Sequence, residues 1–287
     1  MAVHLKVYAE KLGTINAAAE PFKFPGGELH LKNMLSPLDL EGVTWIADVR
    51  GASTDDLVTA LLLADHAAQQ GQAFVLFLPY LPAARADRGT PFGLRVYADM
   101  INNCAYAEHV IVIDPHSPVA NRLVRNICPL DPLPLLNRAL ESQGHWRYDG
   151  IIAPDKGARD RAEAVAKEYG LDLYVAEKDR DFDTGQIYEI KVPNLPKSGK
   201  YLVVDDICDG GSTFLMLSHD TFLPKENIDL WVTHGIFSGA ATNLRNYYGR
   251  IMTTDSHPGH NRVGVATSIV PTFTYMHQAM VDLKGIG

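Results

Sequence analysis

Short apolar runs recur along the chain, each closed by polar or glycine-bearing sequence: His4 to Tyr8, Thr44 to Val49, Ala73 to Leu78, His109 to Ile113, Gly150 to Ala153, Leu171 to Ala176, Tyr201 to Val204, Leu230 to Thr233 and Arg250 to Thr253. Continuous apolar runs of this kind read as strands covered on both faces. Helical patterns separate most of them. In the segment Ser53 to Gln69, Ser53 with Asp56 three residues on has the form of a capping box, and Leu57, Ala60, Leu61, Ala64 and Ala68 form an apolar stripe. Strands alternating with helices call for parallel sheets, because a parallel neighbour is reached only through a crossover. The expected fold class is α/β, with largely parallel sheets flanked by helices.

At 287 residues the chain exceeds the usual size of one domain, which makes two α/β domains the natural arrangement. A Pro-rich break at Cys128 to Leu136 precedes a polar helix and a fresh strand, so the boundary is expected near residues 140 to 147, giving domains 1–145 and 146–287. The formal charge of −8 and the lack of a Lys/Arg run exclude a nucleic-acid surface, which needs a concentrated basic footprint. Cys104, Cys128 and Cys208 are odd in number and lack metal-ligand spacing, which points to free thiols in a reducing compartment. The first residues carry no apolar signal core, and no apolar run is long enough to cross a bilayer. No membrane association is expected, and the cytoplasm is the expected compartment.

The run Tyr201 to Thr213 carries the most chemistry. A buried strand delivers Asp205 and Asp206 to its carboxyl end, where open α/β sheets bind ligands. Gly210 and Gly211 then let the backbone turn its N–H groups towards one anion, and Ser212 and Thr213 add hydroxyl donors at a helix start. The carboxylates suit ribose hydroxyls, contacted directly or through Mg²⁺, and the turn suits a phosphate. An ordinary loop with a capping acid would look similar residue by residue; the whole string is more specific.

That string resembles the phosphoribosyl diphosphate motif of the type I phosphoribosyltransferase fold, apolar residues followed by D-D-x-x-D-T-G/A-x-T, with Gly210 in place of the usual Thr. Other segments are similar, in order, to those of ribose-phosphate diphosphokinases. Arg85, Asp87 and Arg88 match the P-Y-x-x-x-A-R-Q-D-R loop, with Ala86 in place of Gln. Phe24, Gly27 and Glu28 match the F-x-D/N-G-E segment, which in that family reaches the ATP base from a neighbouring subunit; Gly26 replaces the acid or amide. His116 matches the His of D-x-H, and Asp155 matches the Asp of S-P-D-x-G-A/G. Lys178 and Arg180 match the outer positions of the D-K-R-R catalytic loop, with Asp179 in place of the middle Arg. Trp231 to Gly239 resembles A-T-H-G-x-x-S-G and is read mainly as strand and packing.

The resemblance implies two phosphoribosyltransferase-like domains with the active site between them. It also implies transfer of the β,γ-diphosphate of ATP to the anomeric hydroxyl of ribose 5-phosphate. Lys178 and Arg180 would be catalytic. Phe24, Glu28, Arg85, Asp87, Arg88 and His116 would bind ATP, and His116 and Asp155 would hold Mg²⁺. Asp205, Asp206, Asp209, Gly210, Gly211, Ser212 and Thr213 would bind the ribose phosphate. A homo-oligomer is implied. Three alternatives stay open: a larger acceptor such as ADP-ribose, admitted by the bare Gly210–Gly211 turn; a phosphoribosyltransferase; and a non-catalytic regulatory relative. Apolar Ile269 to Met280 reads as a packed or intersubunit element.

Overall fold

A strand that is apolar throughout is stable only when both its faces are covered, and the chain meets this requirement twice. The computed structural model describes residues 2–34, 42–142, 144, 147–180, 187–264 and 267–285. The chain forms two compact units, Met1–Asp131 with Thr272–Gly287, and Pro132–Pro271.

In the first unit the elements run β1 (Val3–Ala9), β2 (Gly13–Asn16), β3 (Glu20–Lys23), β4 (Leu29–Lys32), β5 (Thr44–Val49), α1 (Thr54–Gln69), β6 (Ala73–Leu78), α2 (Gly93–Cys104), β7 (His109–Ile113), α3 (Ala120–Leu123) and β8 (Ile127–Leu130). Six strands form one sheet in the order β2-β1-β5-β6-β7-β8, and β3 and β4 form a separate hairpin. The strands β5 to β8 are parallel, each reached through a helix. β1 is antiparallel to β5, because the chain between them makes a hairpin rather than a helical crossover. Every residue of β5 is buried. Ser53 caps α1 by accepting the Asp56 N–H at 3.3 Å, as its sequence requires. The buried face of α1 is Leu57, Ala60, Leu63, Ala64 and Ala67, turned slightly from the expected stripe because the helix packs on β5, β1, β6 and β4 together. Pro129 is tolerated in β8 because β8 is an edge strand.

The second unit comprises α4 (Leu133–Glu141), β9 (Gly150–Ala153), α5 (Arg159–Tyr169), β10 (Asp172–Val175), β11 (Glu177–Arg180), β12 (Ile187–Lys191), β13 (Tyr201–Cys208), α6 (Ser212–Thr221), β14 (Ile228–Gly235), β15 (Ile251–Thr254) and β16 (Thr267–Val270). Its six-stranded sheet, β10-β9-β13-β14-β15-β16, is parallel throughout, and β11 and β12 form a separate hairpin. Leu202, Val203, Leu230, Val232 and Ile251 line its fully buried centre.

The units divide between Asp131 and Pro132, earlier than the expected boundary at 145/146. Buried Leu135, Leu136, Ala139 and Leu140 give α4 an apolar face that packs on β15 and β16, so the helix expected to be polar and to close the first domain belongs to the second core. The last helix, α7 (Phe273–Lys284), belongs instead to the first unit. It packs on β7 and sets Phe273 against Phe77, while His277 meets Tyr8 and the Thr14 hydroxyl. The apolar segment Ile269 to Met280 is thus split between β16 and α7.

Candidate active site

The carboxyl edge of the second sheet is built around β13. This strand continues past the expected end at Val204, because Asp205, Ile207 and Cys208 stay in register with Val232, His234 and Gly235 of β14. Asp205 and Asp206 therefore leave from paired backbone. Asp206 is buried, and Asp205 turns back to accept the Asp206 N–H at 2.8 Å. Arg161, in the first turn of α5, places one nitrogen 3.6 Å from Asp205 Oδ1 and another 3.5 Å from Asp206 Oδ2. Burial and the neighbouring Asp206 charge push the Asp205 carboxyl well above the usual carboxylate range, and Arg161 pulls against them.

Past Cys208 the chain turns through Asp209, Gly210 and Gly211 into α6. The segment after β14 clamps this turn: Ile236 and Phe237 donate their N–H groups to the Cys208 carbonyl, and Ser238 donates its N–H to the Asp209 carbonyl at 2.9 Å. The Ser238 hydroxyl also donates to Asp209 Oδ1 at 2.6 Å. Gly211 has φ +80°, and a Cβ there would sit 2.8 Å from Ala241 Cα, so conformation and space both require glycine. Gly210 is different: its φ is not positive and a Cβ would meet nothing within 4 Å. Beyond the turn, Ser212 and Thr213 occupy the first turn of α6, where N–H groups lack intrahelical partners and favour an anion.

A second cluster adjoins this helix start. Lys178, on β11, donates to Asp155 Oδ2 at 2.9 Å and to the Thr213 hydroxyl at 3.0 Å, and its side chain is only 7% exposed. Asp155 Oδ1 accepts the N–H groups of Gly157 and Ala158 at 2.9 and 3.2 Å, capping the short turn Lys156–Ala158 that leads into α5. Burial raises the Asp155 carboxyl, but Lys178 and the two N–H groups outweigh it and hold it below its ordinary value. Arg180 ends β11 at a register irregularity, and its side chain lies outside the described residues.

In the first unit the candidate residues lie on turns. Arg85, Asp87 and Arg88 follow β6 and His116 follows β7, and because these strands are parallel neighbours both loops leave the same sheet edge. Arg88 is 94% exposed and only 3.9 Å from Asp87. His116 has φ +45° and Asp114 has φ +43°, so the backbone after β7 is strained where the histidine is presented. Phe24 and Glu28 occupy the hairpin turn between β3 and β4; Phe24 meets Phe22 edge-on at 4.8 Å and stacks on His30 at 6.2 Å. Among the described residues no group of three or more His, Cys, Asp or Glu side chains could hold a metal ion.

No family model matches the chain. Curated relatives do. The ribose-phosphate pyrophosphokinase of Pyrococcus furiosus is 30% identical, with 82% of this chain and 85% of the relative aligned. That of Pyrococcus abyssi is 28% identical, with 90% of each aligned. The chain belongs to the ribose-phosphate pyrophosphokinase family. A solved phosphoribosylpyrophosphate synthetase from Mycobacterium smegmatis superposes with TM-score 0.76 over 95% of this chain and 92% of that one, at 19% identity, which supports the shared fold. The chain is thus a family transferase with two phosphoribosyltransferase-like units.

Within this family frame, the structure brings together Lys178, Asp155 and Thr213, and separately Asp205 with Asp206. Sequence reasoning missed Arg161 and Ser238. Arg161 adjoins the buried stripe of Ala158, Ala162, Val165 and Ala166, and a charge beside such a stripe is the signal that marks it. Ser238 lies in the run read as packing, yet its hydroxyl fixes Asp209.

Proposed function

We propose that the protein transfers the β,γ-diphosphate of ATP to the anomeric hydroxyl of ribose 5-phosphate, giving phosphoribosyl diphosphate and AMP. The observation that carries this reading is Lys178, a buried cation shared between Asp155 and the hydroxyl at the mouth of the phosphate turn. This constellation offers positioned charge, which is what phosphoryl transfer uses.

Asp205 and Asp206 would accept the sugar hydroxyls, while the turn from Asp209 to Thr213 would hold the 5-phosphate. As the bond from the anomeric oxygen to Pβ forms, the hydroxyl proton passes to solvent, the bond from Pβ to the oxygen bridging to Pα breaks, and AMP leaves. Lys178, Arg180 and Arg85 would balance the charge that develops. Phe24, Glu28, Asp87 and Arg88 would hold the nucleotide. Asp155 would supply a hard oxygen donor to Mg²⁺, and His116 would join it. The ion supplies charge neutralisation on the triphosphate oxygens when bound. A homo-oligomer acting in the cytoplasm completes the proposal; all three cysteines are free thiols, and no described helix is long and apolar enough to cross a membrane.

The bare turn gives little support to a larger acceptor. Ala241 fills the space beside Gly211, leaving only Gly210 open. Incubation with ATP and ribose 5-phosphate, without any nucleobase, is expected to release AMP and phosphoribosyl diphosphate in equal amounts. Turnover confined to ADP-ribose, or dependent on a base, would overturn the assignment.

A further inference from the structure

Asp205 and Asp206 pose an electrostatic problem that the motif does not solve. Two carboxylates adjacent in sequence, at the covered end of a central strand, repel each other and lose solvation together. Arg161 lies across both, and a different terminal nitrogen faces each carboxylate, at 3.6 and 3.5 Å. The planar fork therefore sets the spacing between the two acids, which a single ammonium cannot do. Asp205 is oriented from a second side by the Asp206 N–H. Arg161 is itself anchored, since α5 packs on β9, β10 and β13 through Ala162, Val165 and Ala166. The turn that opens this helix is capped by Asp155, so one rigid corner carries both Arg161 and the partner of Lys178.

We propose that Arg161 is a positioning residue of the acceptor site, fastening Asp205 and Asp206 into one platform for the two vicinal hydroxyls of a ribose phosphate. The inference rests on the acceptor assignment made above. A vicinal diol presents two O–H donors side by side, and two carboxylates held at fixed spacing accept both. Without the fork the acids splay, and a diol meets one acceptor at a time. The nucleotide makes no use of this platform, so the effect is confined to the sugar.

The test uses full-length Arg161→Met and Arg161→Lys. It measures kcat and KM for each substrate, thermal stability, and calorimetric binding of ribose 5-phosphate in the presence of Mg²⁺ and α,β-methylene-ATP. In Arg161→Met the KM and Kd for ribose 5-phosphate are expected to rise roughly 10–100-fold, the usual cost of losing an outer partner that orients a ligating side chain, while KM for ATP changes less than about twofold. Arg161→Lys is expected to show the same pattern, smaller in size. If Arg161→Met does not fold, the lysine variant decides alone. Folded variants with unchanged ribose 5-phosphate binding, or with equal losses for both substrates, overturn the role of Arg161 and leave the acceptor assignment standing. A wild-type protein that binds no ribose 5-phosphate under these conditions overturns both.

Discussion

The sheet edge assigned to the sugar and the one assigned to the nucleotide are built differently. In the second unit the functional side chains hold one another: Arg161 grips Asp205 and Asp206, Ser238 fixes Asp209, and Lys178 is tied to Asp155 and Thr213. In the first unit Phe24, Glu28, Arg85, Arg88 and His116 are all exposed. A prearranged set of partners lowers the ordering cost of binding a small, rigid ligand. Exposed arginines suit a flexible triphosphate, whose charge recruits them when it arrives. The contrast teaches that substitutions among the linked side chains of the second unit should change stability and activity together.

The largest expected effect tests the linked half. Replacing Lys178 by Met should lower kcat by about two orders of magnitude or more, ~3 kcal/mol, because charge developing in the transition state loses its partner. The melting temperature should fall too, since Asp155 loses its counter-ion. Arg180→Ala should show a similar loss of kcat. An unchanged kcat in both variants would remove this hairpin from the mechanism. Next in size, Gly211→Ala should destabilise the protein by about 2–4 kcal/mol, through the left-handed conformation and the collision with Ala241, whereas Gly210→Ala should stay within about 0.5 kcal/mol. Equal denaturation midpoints for the two variants would contradict this account of the turn.

These two glycines show where legibility ends. The central strands β5, β6, β7, β9, β13 and β14 could be read directly, because burial on both faces leaves a continuous apolar run. Short, partly exposed β2, β3, β4 and β8 carry no such signature. The length of β13 was concealed by its own function, since Asp205 and Asp206 look like the end of a strand while their backbone remains paired to β14. Motif residues were legible because their chemistry is local. Ala241 was not, because its importance lies in a contact with a distant residue that no periodicity encodes; Arg161 was marked only by standing beside an apolar stripe, which does not reveal its distant partners.

The smallest expected effect belongs to the first unit. Ala86 is exposed and stands where the P-Y-x-x-x-A-R-Q-D-R motif that this loop resembles has Gln, so Ala86→Gln should sharpen discrimination between ATP and GTP by a few-fold in kcat/KM, with the melting temperature unchanged. No change in the ATP:GTP ratio would show that other groups read the base.

The central claim, that the second unit presents an acceptor to a diphosphate donor, is tested most directly by following the phosphates. In a ³¹P NMR time course with ATP, Mg²⁺ and ribose 5-phosphate, the β- and γ-phosphates of ATP should move together onto the anomeric oxygen while AMP accumulates in equal amount. Formation of ADP with transfer of the γ-phosphate alone would contradict the account.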